Sequence, residues 1–308
     1  MVEPIRLVLV GVGKIARDQH LPAIAADARF RLVATVDPKG GVEGVPHFPD
    51  LDALLASGTE IDAVTLATPP GGRRALATRA IEAGFAVMLE KPPAATLSEA
   101  EDLRARAETA GVTLFASWHS RAAAGVAPAR EWLAGRTVTG VRITWKEDVR
   151  RWHPGQEWIL GPGGFGVFDP GINALSIATA ILPDPLFVES ARLSIPQGRA
   201  APIAASLRLR TRDAEGTAEF DFRQTGPQTW DIEVDTDAGT LGLREGGSIV
   251  ALPGAEPRCG ENREYPALYA RFADLVAAGR SDVDVAPLRL VADAMLVAAL
   301  DPVEAFRF

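Results

Sequence analysis

The first sixteen residues limit what this chain can fold into more than any other stretch. Ile5-Arg6-Leu7-Val8-Leu9-Val10 is a near-continuous apolar run, the pattern of a strand buried on both faces of a parallel sheet. Gly11-Val12-Gly13-Lys14-Ile15-Ala16 follows at once and runs into a helical segment. In a Gly-x-Gly-x-x-Ala turn the first glycine allows the tight bend and the second lets the backbone approach a pyrophosphate. The small third position lets the helix pack on the strand. The phosphates then lie at the helix N-terminus, beside Lys14 and Ile15. A second strand, Arg31-Leu32-Val33-Ala34-Thr35-Val36, ends on Asp37, about where an acid that binds ribose hydroxyls falls. Asp37 would repel a 2′-phosphate and so favours NAD, while Lys39 two residues on keeps NADP open.

The alternation of strand and helix continues through the first 120 residues. Asp50 can cap a short helix through Leu55, and Ile61 to Ala67 reads as a strand ending at Thr68-Pro69-Pro70. A helix from Arg73 stops at Gly84, and the strand Phe85 to Leu89 ends on Glu90-Lys91-Pro92-Pro93. Thr96-Leu97-Ser98-Glu99 is a capping-box signature for a helix to Ala110, and Val112 to Ala116 is one more strand, ending near Trp118-His119. This predicts an α/β Rossmann domain with a doubly wound parallel sheet over residues 1–120. The ends of its strands offer Thr68, Pro69, Glu90 and Lys91 to a cofactor. Pro92 removes a backbone donor and restrains Lys91, so the ammonium stands on a stiff mount.

After Arg121 the pattern changes. A helix around Pro128 to Ala134 precedes an alternating strand, Val138 to Glu147, and an aromatic and glycine-rich loop, Asp148 to Phe168. A helix opens near Asp169 and runs to Leu182. Strands follow at Ser190 to Ile195, Ile203 to Thr211, Thr217 to Phe222, Trp230 to Asp235 and Thr240 to Leu243. Helices from Pro266 to Ala278 and Pro287 to Leu300 close the chain. Residues 121–308 are therefore expected to form an α+β domain with a large, mostly antiparallel open sheet, its last helix able to pack back on the first domain.

Composition narrows the partners. A formal net charge of −8 argues against nucleic acid and anionic membrane. The single Cys259 excludes an internal disulfide and argues against a cysteine metal cage, so a cytoplasmic setting and no metal are expected.

Two clusters in the second domain carry polar chemistry. Asp169 and Asn173 are one helical turn apart, so their side chains leave the same face. The structural alternative is that Asp169 before Pro170 is an N-cap, its carboxylate used on backbone N–H groups. Glu147, Trp152 and His153 form either an aromatic loop anchor or part of a sugar site, where a ring face stacks on the pyranose and fixed groups pair with hydroxyls.

Taken together, Gly11-x-Gly13-x-x-Ala16, Thr68-Pro69-Pro70, Glu90-Lys91-Pro92 and Asp169…Asn173 resemble the glucose–fructose oxidoreductase/inositol dehydrogenase (Gfo/Idh/MocA) family. Ile15 to Ala23, Trp118-His119-Ser120 and Trp145 to Gly155 are similar to the branch that oxidises L-arabinose or D-galactose at C1. The resemblance implies oxidation of an aldose to its lactone with NAD or NADP, by a homo-oligomer assembled through the C-terminal sheet. It also implies catalytic roles for Lys91, Asp169 and Asn173. Many relatives carry histidine where this chain has Asn173, which shifts proton transfer onto Lys91 and Asp169. His119, Glu147, Trp152, His153 and Trp230 are candidate substrate contacts. A polyol, inositol or trans-dihydrodiol dehydrogenase, or a non-catalytic dinucleotide sensor, would share the scaffold.

Overall fold

The structure is a computed structural model, and it describes residues 3–308. The chain forms two compact units: one runs to His119 and takes in Glu264–Val285, the other comprises Ser120–Arg263 and Ala286–Phe308.

The first unit is built on six parallel strands: β1 (Ile5–Val10), β2 (Phe30–Val36), β3 (His47–Phe48), β4 (Ala63–Leu66), β5 (Ala86–Leu89) and β6 (Leu114–Ala116), in the order β3-β2-β1-β4-β5-β6. The reversal between β1 and β4 marks the switch point of a doubly wound sheet. Between the strands lie α1 (Leu21–Ala26), α2 (Leu51–Ala56), α3 (Arg73–Glu82) and α4 (Leu97–Ala110). Asp50 accepts from the Ala53 N–H at 2.8 Å and Thr96 from the Glu99 N–H at 3.3 Å, so both expected caps form. The helix after the glycine turn is less regular than expected, because a π-helical segment, Ala16–His20, precedes α1.

In the second unit, α5 (Val126–Leu133) leads to β7 (Val138–Lys146), and the short α6 (Val149–Trp152) precedes α7 (Phe168–Ile181). Then come β8 (Leu186–Pro196), β9 (Ala204–Thr211), β10 (Ala214–Asp221), β11 (Thr229–Thr236), β12 (Gly239–Arg244), β13 (Ile249–Ala251) and β14 (Arg258–Cys259). Helix α8 is Glu264–Ala278, α9 is Ala286–Val297 and β15 is Ala298–Val303. The nine-stranded sheet runs β14-β13-β12-β11-β7-β10-β9-β8-β15, antiparallel except where β7 meets β10 and β8 meets β15. One face alternates Val141, Ile143, Leu207, Leu209, Ala218, Phe220, Ile232 and Val234, all buried. Gly171 lets α7 approach this face, since a Cβ there would lie 3.0 Å from the Phe220 ring.

Two expectations are corrected. The helix that returns to the first unit is α8, the penultimate one, while α9 belongs to the second. The reason is apolar matching: Tyr265, Leu268, Tyr269, Phe272 and Leu275 of α8 are buried with Leu7, Ile24, Phe30, Met88 and Phe115. The last helix also ends at Val297, not Leu300, because the following residues pair with β8, Leu300 opposite Leu193.

Candidate functional site

In the first unit the glycine turn has the shape its sequence requires. Gly11 sits at φ +89°, and a Cβ there would lie 3.0 Å from the backbone of Ala67 and Thr68, so β1 and β4 approach closely at their ends. Nothing lies within 4 Å of a Cβ built on Gly13, and Gly13, Lys14 and Ile15 are exposed. That is an open cradle of the kind a pyrophosphate fills, so the residues present fit a dinucleotide. Lys14 pairs with Asp18 on the same helical face. The Asp37 carboxylate accepts from the Val12 N–H at 2.9 Å and from the Lys39 N–H at 2.8 Å. It thus braces the turn while keeping lone pairs for further donors.

Lys91 follows β5 and is half-buried, and its bond to Pro92 is cis. Glu90 beside it is not turned outward. Its carboxylate is buried, accepts from the Tyr265 hydroxyl at 2.6 Å and lies 3.5 Å from His20 Nε2. His20 Nδ1 is 2.8 Å from the Tyr269 hydroxyl. Burial alone would raise the Glu90 carboxyl. The His20 imidazole and the charges of His119 and Lys91 outweigh burial and hold it well below the usual carboxylate range. Burial and the neighbouring Glu90 push the Tyr265 phenol well up, so it stays a donor. His119 pairs through Nδ1 with Glu264, and its ring stacks on Tyr265 at 5.3 Å between centroids.

Arg73 was not among the residues expected from sequence. It is 2% exposed, and its guanidinium donates to the main-chain carbonyls of Thr68, Glu90 and Pro92. Following Gly71-Gly72 at a helix start, it reads in sequence as a solvated arginine. Tyr265 and Tyr269 did carry a signal: they are the only two tyrosines of the chain, one helical turn apart.

In the second unit Asp169 is not an N-cap. The cap position of α7 is Val167, and Asp169 lies inside the first turn with its carboxylate buried. Its Oδ2 lies 3.6 Å from His153 Nε2. Asn173 follows on the same helical face and is partly buried. Glu147 is buried just past β7 and accepts from Trp230 Nε1 at 3.0 Å. Trp230 sits between Trp145, directly opposite in the sheet, and Trp152, whose ring centroid is 5.4 Å away. Gln228 Oε1 accepts from the Asp148 N–H at 2.6 Å and Trp152 Nε1 at 3.4 Å, tying α6 to the strand that carries Trp230. A cavity of about 450 Å³ opens here, lined by Arg151, Trp152, Gln228, Trp230, Asp231 and Glu245. Half-exposed indole faces beside fixed amide and carboxylate groups suit a polyhydroxylated ring.

A doubly wound sheet with an open glycine cradle, a ribose-height acid and a lysine at the end of β5 defines a dinucleotide-dependent oxidoreductase. Comparison with known proteins makes this specific. The family model described as an oxidoreductase family with an NAD-binding Rossmann fold matches residues 5–117. The galactose 1-dehydrogenase of Pseudomonas fluorescens is 48% identical over 306 residues, 99% of each chain. The crystal structure of a D-galactose-1-dehydrogenase protein from Rhizobium etli is 52% identical, covers 100% of this chain and 99% of its own, and superposes with a TM-score of 0.93. GenD2 from gentamicin A biosynthesis, solved with NAD, shares the fold at 22% identity and a TM-score of 0.82, over 96% of this chain and 95% of its own. The chain belongs to the glucose–fructose oxidoreductase/inositol dehydrogenase (Gfo/Idh/MocA) family of NAD(P)-dependent oxidoreductases.

Proposed function

We propose that this protein is an aldose 1-dehydrogenase that oxidises D-galactose, and L-arabinose beside it, at the anomeric carbon to the aldonolactone. The observation that carries this reading is the 48% identity to a galactose 1-dehydrogenase along 99% of both chains. The indole pair Trp152 and Trp230 with buried Glu147 supports it, as a surface matched to a pyranose face and its hydroxyls. L-Arabinose and D-galactose share their configuration at C2 to C4 and differ by the C6 hydroxymethyl, so one pocket serves both.

Gly11, Gly13, Lys14, Ile15, Asp37, Thr68, Pro69 and the main chain at Glu90-Lys91 would hold the dinucleotide, with NAD favoured by Asp37. When bound, the oxidised nicotinamide supplies the hydride acceptor. Lys91 and Asp169 are the groups proposed to take the proton of the anomeric hydroxyl, while Asn173 orients the sugar. His153 steadies the Asp169 carboxylate, and His119, Glu147, Trp152 and Trp230 contact the substrate. We also propose a cytoplasmic homo-oligomer assembled through the open face of the second sheet. That face carries cross-strand ion pairs within the chain, such as Arg142–Glu233 and Arg192–Asp301.

Replacing Lys91 by Met tests the assignment. Turnover of D-galactose should vanish while NAD still binds, as read by fluorescence titration; near-normal kcat would reject it. A spectrophotometric screen of aldoses, inositols and dihydrodiols against NAD and NADP tests the substrate class. Reduction with inositol alone would favour the polyol reading, and binding without reduction by any substrate would favour a sensor.

A further inference from the structure

Arg73 lies outside every role assigned so far, yet it is among the largest fully buried side chains of the chain. Its Nη1 donates to the carbonyls of Glu90 and Pro92, and its Nη2 to that of Thr68. Glu90 and Pro92 flank Lys91, so the carbonyls of the residues before and after the lysine converge on one cation. Thr68 lies just past β4, next to β5 in the sheet, and heads the Thr68-Pro69-Pro70 loop. Taking a guanidinium out of water carries a desolvation cost comparable to what its new hydrogen bonds return. An apolar side chain would fill the same space without that cost. The planar fork does what an apolar group cannot, which is to fix several acceptors in one geometry.

We propose that Arg73 is the positioning residue for Lys91: by holding the carbonyls on either side of it together with that of Thr68, it sets the direction in which the ammonium leaves the sheet relative to the Thr68–Pro70 loop. This rests on Lys91 acting in proton transfer. A displacement of about 1 Å at such a group can cost about 100-fold in rate, with little change in ground-state binding.

The test compares Arg73→Ala, Arg73→Lys and Lys91→Met, assayed with D-galactose and NAD, with thermal melts alongside. In Arg73→Ala, kcat should fall about 10- to 100-fold while the sugar KM stays within about three-fold. Low millimolar guanidinium should restore part of that kcat, and should restore nothing in Lys91→Met. Arg73→Lys should be intermediate, since an ammonium donates to fewer of the three carbonyls. A folded Arg73→Ala with kcat within about two-fold of the parent overturns the inference, as does a loss that tracks the melting temperature and is untouched by guanidinium. If Arg73→Ala fails to fold, Arg73→Lys decides by its kcat against its KM. Turnover retained in Lys91→Met overturns the lysine reading and this inference with it. A dead Lys91→Met beside unaffected Arg73 variants overturns this inference alone.

Discussion

At Glu90 a carboxylate that sequence places at a ligand site is turned into the fold, where it accepts from the Tyr265 hydroxyl and, against the effect of burial, is held ionised chiefly by the His20 imidazole. Because its folded pKa is depressed, it contributes stability that is fully present above the unfolded value of about 4.3 and is lost as pH falls through the folded one. Glu90→Gln should therefore be clearly destabilised near pH 7, and the deficit should shrink as pH drops below about 4. Urea unfolding of both proteins at pH 7, 4 and 3 checks the sign; a deficit independent of pH would mean the charge is not what matters. Tyr265→Phe removes a hydrogen bond to a charged group and should cost about 1.5–3 kcal/mol at neutral pH in the same assay. Asp37 makes a second residue-scale prediction. Asp37→Ser removes the charge opposed to a 2′-phosphate and should move the ratio of kcat/KM for NAD over NADP toward NADP. An unchanged ratio removes Asp37 from cofactor choice. These residues differ in legibility: Asp37 is fixed by its distance from a glycine turn, whereas the inward turn of Glu90 needs a partner 175 residues away, Tyr265.

Among elements, α8 shows most clearly what local pattern leaves open. Its apolar face predicts a buried helix, but not which sheet buries it. Phe272 settles the matter by stacking on Phe30 and Phe115, strand residues of the first unit. Phe272→Ala should destabilise that unit by about 3–5 kcal/mol, the usual result of emptying a buried aromatic site. Loss of the NAD-stabilised thermal transition, with the second unit's transition unmoved, is the expected signature. The same limit explains β15. Ala298-Ala299-Leu300 continues the helical pattern of α9 without a break, and only pairing with β8 makes it a strand. Pro302 is tolerated there because β15 lies at the sheet's edge. The cap residues Asp50 and Thr96, by contrast, were readable because a cap is satisfied within four residues of itself.

For the whole molecule, two compact units imply that unfolding is not a single two-state event. NAD at about 100 times its Kd should stabilise the dinucleotide-binding unit by about 2.7 kcal/mol, and calorimetry should show one transition moving while the other stays. Two transitions shifting equally would show that the units melt together. Sequence by itself determined what depends on near neighbours in the chain: the glycine turn, the strand and helix alternation, the caps, Asp37 at the end of β2, and Asp169 with Asn173 on one helical face. Tertiary structure alone decided which sheet receives α8, that Glu90 faces inward to Tyr265, that Arg73 grips the peptides around Lys91, and that Asp169 meets His153 rather than capping its helix. Hydrogen bonds closed within a few residues are written in local order. A buried charge instead finds partners wherever packing has excluded water, and no short stretch of sequence records where that is.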